Sequence, residues 1–435
     1  MPGINSINRE ILRLAVPNIV SNLSVPLLST VDTALMGRLS ADHIGAVGLA
    51  AMVFNFIYWN FGFLRMGTTG MTAQAFGARD EEGIRLVLGR SLLIAVILAL
   101  LIIILRWAIL DVGILGMNVP GDQVGLVSQY FMIRVWAAPA TLGLYAMLGW
   151  FFGMQNAIYP LVITIAINVV NMVASYLLVS HYQLAIRGVA WGTLIAQYLG
   201  VLLAYLFLVV RYGRQSLRFD WKELTDWPAF SGFLRINGNL FIRTVCLTFA
   251  FAYFYAQSAQ LNEVLLAVNV ILLQLLNWLS YAVDGFAFAA ESLVGRFYGA
   301  GDFLSLRRVI RLSFVWGGVI ALGFGVAYGW GGPWIFRVYT DQPDVLAAGR
   351  EWLIWMAILP VLSFASYIWD GIFIGLTASR AMRNTMVLAL GFFLAIHRFG
   401  FNAPGWGLWI SFLLFMVARG LFQTVIFWRK GFQMT

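Results

Sequence analysis

Apolar stretches about 20 residues long follow one another along almost the whole chain, separated by short polar segments. A helix of about 20 apolar residues crosses a hydrocarbon core roughly 30 Å thick. Charged residues make up only 11% of the 435 residues, whereas soluble domains contain about 25%. Because so little polar surface could not cover a soluble fold of this size, the sequence predicts an all-α integral membrane protein.

The apolar stretches predict twelve transmembrane helices. They fall near residues 11–36, 44–76, 87–108, 123–150, 158–180, 187–211, 232–257, 263–294, 309–330, 348–375, 384–400 and 405–428. Lys and Arg concentrate on the cytoplasmic flanks of membrane helices. Most basic residues that flank these spans lie on the same side of the membrane as the amino terminus. We therefore expect a multi-pass protein of the plasma membrane, which is the inner membrane in bacteria, with both termini in the cytoplasm.

The two halves of the chain resemble each other at an offset of 222 residues. The stretch "FGARDEEGIRLVLGRS" overlays "YGAGDFLSLRRVIRLS", and the same offset pairs Gly149 with Gly371 and Gly153 with Gly375. We predict an amino-terminal six-helix lobe over residues 1–211, a cytoplasmic linker over 212–231 and a carboxy-terminal six-helix lobe over 232–435. The lobes form a parallel internal repeat, a plan used by transporters that rock their halves around a substrate site.

The first apolar stretch contains a carboxylate, Asp32, within "VPLLSTVDTALMGRL". A charge at the bilayer centre costs roughly 2.5–3.5 kcal/mol on insertion scales, so such residues usually face a bundle interior or a wet cavity. Desolvation raises the pKa of a carboxyl group and a nearby cation lowers it, so a change of surroundings can load and release a proton. Asp32 is either such a proton or cation site, or a structural residue that is neutral or paired with Arg65 or Arg134.

The fifth predicted helix has polar residues on one face. Asn168, Asn171 and Ser175 are spaced by three and four residues, which aligns them along a helix. Two interpretations remain open. Either Asn168 and Asn171 help Asp32 to couple protons or cations, or they only join neighbouring helices, as polar side chains often do in membranes.

The carboxy-terminal half has its own polar candidates for a substrate cavity or second polar site, namely Asp284, Asp370, Asn237 and Arg243. The two carboxylates either contact substrate, pair with Arg243, or share a proton with each other. These alternatives cannot be separated by spacing along the chain.

Enzymatic and nucleic-acid functions are not indicated. The chain has no phosphate-binding G-x-x-x-x-G-K-[ST] loop. Its histidines are far apart and lack the H-E-x-x-H spacing, so no metal site is predicted. The arginines are scattered between helices rather than gathered in one patch, which argues against nucleic acid as a partner.

Several stretches resemble the multidrug and toxic compound extrusion (MATE) family: "VDTALMGRLSADHIGAVGLA", "AQAFGARD" and "INVVNMVASY". In the carboxy-terminal half, "LRINGNLFIRT", "YAVDGFAFAAESLVG" and "DGIFIGLTASRAMRNTM" resemble its DNA-damage-inducible protein F (DinF) branch. The resemblance covers nearly the whole chain. It implies two six-helix lobes and secondary active efflux of organic cations or amphiphilic compounds, in exchange for protons or sodium and without another cofactor.

Under this resemblance, Asp32 matches the first-helix aspartate that is the usual candidate for coupling, and Asn168 and Asn171 match the fifth-helix asparagines. The family often has an aspartate where this chain has Ser175. The chain also lacks a seventh-helix glutamate of the kind that the sodium-coupled branch uses, so proton coupling is favoured over sodium coupling. We expect a monomeric efflux antiporter in the lipid bilayer. The alternative is a flippase for lipids or lipid-linked oligosaccharides, which would need a basic cavity.

Overall fold

The computed structural model describes residues 4–37, 41–400 and 405–431, and their side chains except those of residues 25, 27–34, 36, 37, 41, 42 and 44. All regular secondary structure in these ranges is helical. Uninterrupted apolar sequence explains this, because only a helix satisfies every backbone N–H and C=O within its own segment when no water is present.

The first half contains the helices α1 (Ile4–Gly37), α2 (Ala41–Phe61), α3 (Phe63–Ala78), α4 (Glu81–Ile104), α5 (Arg106–Gly116), α6 (Val124–Arg134), α7 (Ala138–Gly153), α8 (Ile158–Tyr176), α9 (Ala185–Tyr212) and the short α10 (Trp221–Leu224). The second half contains α11 (Trp227–Ala259), α12 (Glu263–Gly299), α13 (Phe303–Tyr339), α14 (Pro343–Gly375), α15 (Ser379–Phe399) and α16 (Trp406–Lys430).

These helices form the twelve predicted spans. The pair α2 and α3 makes one span interrupted at Gly62, and α6 and α7 make another, joined by the 3-10 turn Val135–Ala137. Ten spans in the described part of the chain are long and apolar enough to cross a membrane. The helices α1 and α15 complete the twelve. The prediction of an all-α membrane protein is therefore confirmed, while the short helix α5 was not predicted.

The chain divides into two compact units. The amino unit comprises Val20–Leu234, and the carboxy unit comprises Met1–Ile19 together with Arg235–Thr435. The beginning of α1 therefore packs with the second half of the chain. Glu10 forms a 2.8 Å ion pair with Arg296 of α12, and Gly285 leaves room for α1 because a Cβ there would lie 3.0 Å from the carbonyl oxygen of Ala15.

The internal repeat is visible in the helix packing inside each unit. Gly149 of α7 lies against the backbone of Arg65 in α3, and Gly371 of α14 lies against the backbone of Ala287 in α12. Both partners, like both glycines, are offset by 222 residues. A Cβ at either glycine would collide with a carbonyl oxygen, so the same close approach of two helices requires glycine in both halves.

The turns that precede α4 and α13 also repeat. Arg79 and Gly301 have the left-handed φ values of 59° and 68°. The next residue caps the following helix in both cases: Asp80 accepts from the N–H of Gly83 at 2.8 Å, and Asp302 accepts from the N–H of Ser305 at 3.0 Å. Hydrogen bonding by Ser305 lowers the pKa of the Asp302 carboxyl.

The polar stretch between the halves is attached to the amino unit. Arg90 of α4 donates from Nε to the carbonyl oxygen of Leu224 at 3.1 Å and from Nη2 to that of Glu223 at 2.8 Å. Arg85 adds a 3.2 Å ion pair with the Glu223 carboxylate. Leu224 is buried and its side chain fills the space beside Gly89. This segment is thus a packed part of the unit.

Candidate functional site

A cluster of charged side chains is buried in the carboxy unit. Its centre is Asp370 of α14, which is bonded by Arg243 of α11. Two residues of α16 complete the cluster: Arg419 donates from Nη2 to Oδ2 of Asp370 at 2.8 Å, and Gln423 donates to Oδ1 at 2.8 Å. All four residues are buried, so this is a closed polar group inside the bundle.

Glycines lie next to the cluster in two of its helices, α14 and α16. Arg419 and Gln423 are four residues apart and therefore lie on the same face of α16. Gly420 between them allows close approach, because a Cβ there would lie 3.4 Å from the backbone nitrogen of Ser366 in α14. Gly371, directly after Asp370, packs against α12. The geometry of the cluster thus follows from close helix packing.

The charges in the cluster do not balance. Two guanidinium groups face one carboxylate, so the cluster has a net positive charge when Asp370 is ionised. A buried charge is tolerated only when it is paired and hydrogen-bonded. Arg419 gains further contact from two aromatic rings, which lie 5.9 Å (Tyr367) and 5.6 Å (Phe415) from its guanidinium carbon. A proton on Asp370 would leave two cations facing each other without a counter-charge.

The other two candidates of the carboxy unit are not among the residues that bond Asp370 in the described part of the chain. Asp284 of α12 accepts a 3.2 Å hydrogen bond from Ser280 on the same helix. Tyr367 lies within electrostatic range of Asp284, Asp370 and Arg419. Asn237 is buried in α11 and is not one of the three residues that bond Asp370. Of the open alternatives, the structure therefore contains the pairing of Asp370 with Arg243.

In the amino unit, Asp32 belongs to α1, but its side chain lies outside the described residues. The two asparagines of α8 contact different neighbours. Asn168 donates to Ser24 of α1 at 2.7 Å, and Ser24 lies about two helical turns before Asp32. Asn171 donates to Thr193 of α9 at 3.0 Å and accepts from Ser175 at 3.1 Å. Among the side chains that the structure describes, Asn168 is thus the one of the two asparagines that bonds the helix containing Asp32.

Two residues of the buried cluster, Arg419 and Gln423, were not predicted as site residues. Arg419 had a signal, since an arginine inside an apolar stretch needs a partner. Gln423 had only its position one turn after Arg419. Two arginines inside the spans of the amino unit contact aromatic rings. Arg134 lies 5.3 Å from the ring centre of Phe54, and Arg65 lies 5.9 Å from that of Phe152.

Comparison with known proteins adds to this geometry. The MatE family model matches residues 17–177 and again residues 240–397, once in each half of the chain. The chain is 34% identical to the DNA damage-inducible protein F of Escherichia coli (strain K12), covering 99% of this chain and 95% of that protein. It is 25% identical to the probable multidrug resistance protein NorM of Pseudomonas syringae pv. tomato (strain ATCC BAA-871 / DC3000), covering 96% of this chain and 92% of that protein.

A solved structure shares the same fold. The bent form of the Vibrio cholerae MATE transporter VcmN superposes with a TM-score of 0.87 at 18% sequence identity, covering 98% of this chain and 97% of that chain. The helix order, the repeat and the two-lobe layout are therefore those of a known transporter architecture.

Proposed function

The chain belongs to the MATE family of multidrug efflux transporters, and on that premise we propose that it is a secondary active antiporter driven by protons. It exports organic cations or amphiphilic compounds by alternating access, acts as a monomer, and uses no cofactor beyond the proton gradient. We place this multi-pass protein in the plasma membrane, the inner membrane of bacteria, with both termini in the cytoplasm.

We assign proton coupling to the amino unit because the surroundings of Asp370 make it unsuitable for this role. A coupling carboxylate must bind and release its proton as its environment changes. Asp370 is ill suited to this task because its charge neutralises Arg243 and Arg419 in a buried cluster. We therefore assign proton coupling to Asp32, which the family resemblance also favours, and keep Asp284 as the second choice.

The contact between α8 and α1 supports this assignment. Asn168 bonds Ser24 about two turns from Asp32. A movement of α1 would therefore act on the polar face of α8 through this hydrogen bond. Asn171 and Ser175 bond each other. Ser175 is neutral where the family often has an aspartate, so a sodium ion would find one anionic ligand fewer. This favours protons over sodium.

The energetics are adequate for efflux. A proton that enters down one pH unit and 100 mV releases roughly 3.7 kcal/mol. At one proton per molecule, this free energy sustains about a 500-fold gradient of a neutral substrate. Exchange of one proton for one monovalent cation is electroneutral and uses the pH gradient alone.

The test is transport in liposomes with an imposed pH gradient and a clamped voltage, followed with a fluorescent organic cation. Asp32→Asn is nearly isosteric and cannot ionise, so we expect it to abolish gradient-driven transport. Asp111→Asn is the matched control, because Asp111 is exposed on α5, and should transport like the wild type. Equal transport by Asp32→Asn and the wild type would refute the assignment, and Asp284→Asn would then be tested in the same way.

A flippase for lipids or lipid-linked oligosaccharides is the second candidate. The net positive charge of the buried cluster around Asp370 favours it, because an anionic head group needs a basic environment. The same liposomes distinguish the two functions when they contain phosphatidylglycerol with a fluorescent head group and a membrane-impermeant quencher is added outside. Lipid movement between leaflets without transport of the organic cation would favour the flippase.

A further inference from the structure

Two membrane spans of the amino unit are interrupted near their middle. The span Gly45–Ala78 breaks at Gly62, between α2 and α3, and the span Val124–Gly153 breaks at the 3-10 turn Val135–Ala137, between α6 and α7. The backbone stays in the helical region at both breaks, and a 3-10 stretch in the middle of a helix often marks a functional hinge or a sequence under strain. The two breaks are therefore candidate locations for a binding site.

Three polar side chains flank these breaks. Tyr58 lies one turn before Gly62, Arg134 directly precedes the 3-10 turn, and Thr141 follows it in the first turn of α7. Tyr58 is 6% exposed and Thr141 is 7% exposed. The hydroxyl groups of both, and Nη1 of Arg134, are buried without a hydrogen-bond partner. Since the large majority of buried polar atoms in proteins are bonded, three such atoms together call for an explanation.

The three groups lie close together. The hydroxyl of Tyr58 is beside both the Thr141 hydroxyl and the Arg134 guanidinium, yet it forms no hydrogen bond of good geometry with either. The guanidinium carbon of Arg134 lies 5.7 Å from the centre of the Tyr58 ring. Tyr145, one turn after Thr141, is within electrostatic range of Arg134 and of Arg65. The result is a buried group of hydrogen-bond donors at the two breaks.

The chemistry of these donors specifies an acceptor. A guanidinium group only donates, whereas each hydroxyl can both donate and accept. Among the side chains that the structure describes, no Asp or Glu forms an ion pair with Arg134. Charge-assisted hydrogen bonds to an oxyanion are stronger and shorter than neutral ones. A carboxylate, sulfate or phosphate oxygen is the group that satisfies all three side chains at once.

An apolar cleft lies on another face of the same helix. A cleft of about 410 Å³ between α6 and α9 is lined by Met132, Ile133, Trp136, Trp191, Leu194 and Tyr198. Its first three residues lie within one turn of Arg134. Aromatic rings also surround the polar group, since Phe54 stacks on Phe131 at 4.9 Å and on Tyr58 at 5.8 Å.

We propose that Arg134, Tyr58 and Thr141 form a binding site for the oxyanion head group of an anionic amphiphile. The site adds a substrate class to the proposed function. Export of this class of compound rests on the proposed antiport. Binding itself needs no gradient and no coupling residue, so it can be tested separately.

The test is equilibrium binding of radiolabelled octyl sulfate to the full chain in phosphatidylcholine nanodiscs, with octyltrimethylammonium as the cation of equal chain length. We expect saturable binding of octyl sulfate to the wild type and a loss of affinity of roughly tenfold or more in Arg134→Gln. Tyr58→Phe and Thr141→Val, which remove one hydroxyl each, should weaken binding severalfold. Arg106→Gln is the control, because Arg106 stacks on the neighbouring Trp107 in α5, and should bind like the wild type.

Two further variants separate the possible causes of a loss. Arg134→Lys keeps the charge and should retain part of the binding, which guards against a folding defect. Asp32→Asn should lose gradient-driven transport but bind octyl sulfate normally, so failure of the proposed function and failure of this site give different results.

Several outcomes would overturn the site: no saturable binding of octyl sulfate, full binding by Arg134→Gln, or an equal loss of octyltrimethylammonium binding in that variant. Octyl sulfate could also bind the wild type more weakly in phosphatidylglycerol nanodiscs than in phosphatidylcholine nanodiscs. If Arg134→Gln showed no such difference between the two lipids, the result would support the site and identify a lipid head group as its occupant.

Discussion

Arg419 donates a 2.8 Å hydrogen bond to Asp370 across the interface between α16 and α14, and both side chains are buried. Because Arg243 bonds the same carboxylate from α11, Asp370 joins three helices of the carboxy unit. A buried ion pair is weak evidence for net stability, but the loss of one partner leaves an uncompensated charge. The cluster therefore predicts a strong effect of mutating its single anion.

We expect Asp370→Asn to destabilise the protein by about 3–5 kcal/mol, because two guanidinium groups would remain buried without a counter-charge. Thermal unfolding of the purified protein in detergent measures this effect. Asp370→Asn combined with Arg419→Gln should recover part of the loss, since removing one cation relieves the repulsion. If Asp370→Asn abolished transport without lowering the unfolding temperature, Asp370 would have a role in transport chemistry.

The packing of Gly149 and Gly371 gives a second prediction, which tests the repeat. A Cβ at either position meets a backbone carbonyl oxygen of the neighbouring helix, so Gly149→Ala and Gly371→Ala should each destabilise the protein by about 1–3 kcal/mol. Gly143 lies on the same helix as Gly149 and has open space around it. Gly143→Ala should therefore be neutral or stabilising by up to about 1 kcal/mol.

Thermal unfolding of the three glycine variants distinguishes close helix approach from a general intolerance of alanine. Equal destabilisation by Gly143→Ala and Gly149→Ala would contradict the proposed cause. A loss at Gly149 without one at Gly371 would show that the two halves do not depend on the same contact.

The helices, the spans and the repeat could be predicted from the sequence because each has a local signal. Apolar length specifies a span, and a fixed offset between matching residues specifies a repeat. The breaks at Gly62 and Val135–Ala137 had only weak local signals: glycine is a poor helix former, and Pro139 lies in the first turn of α7, just after the 3-10 turn. Proline also occurs inside an unbroken membrane helix, as Pro360 does in α14, so these signals do not specify a break on their own.

Most of the buried cluster could be recognised as polar residues in the membrane, but its pairing could not be predicted. Arg243, Asp370 and Arg419 lie on three helices that are far apart in sequence. Which arginine meets which carboxylate depends on the rotation of each helix, and that rotation is set by contacts such as the approach of Gly420 to Ser366. Gln423 became part of the site only through this rotation.

The attachment of the polar stretch to α4 leads to a third prediction. Arg90 is buried and bonds two carbonyl oxygens of the stretch, whereas Arg85 is partly exposed and bonds one carboxylate. We expect Arg90→Ala to expose the segment around Glu223, and Arg85→Ala to have little effect because exposed ion pairs contribute only about 0–1 kcal/mol. Hydrogen exchange of residues 219–226 measures the difference. Equal exchange in the two variants would contradict it.

The fourth prediction concerns voltage, and it follows from the charge of the substrate. Exchange of one proton for one monovalent cation moves no net charge, whereas export of an anion against proton entry moves two positive charges inward. An inside-negative potential of 100 mV then adds roughly 4.6 kcal/mol to the driving force for the anion and nothing for the cation. We expect this potential, set with a potassium gradient and valinomycin, to increase export of octyl sulfate from liposomes and to leave that of octyltrimethylammonium unchanged.

Asp32→Asn should remove proton-driven export of both compounds, while Arg134→Gln should selectively impair export of octyl sulfate. Export of octyl sulfate that is insensitive to voltage would contradict antiport of an anion against a proton.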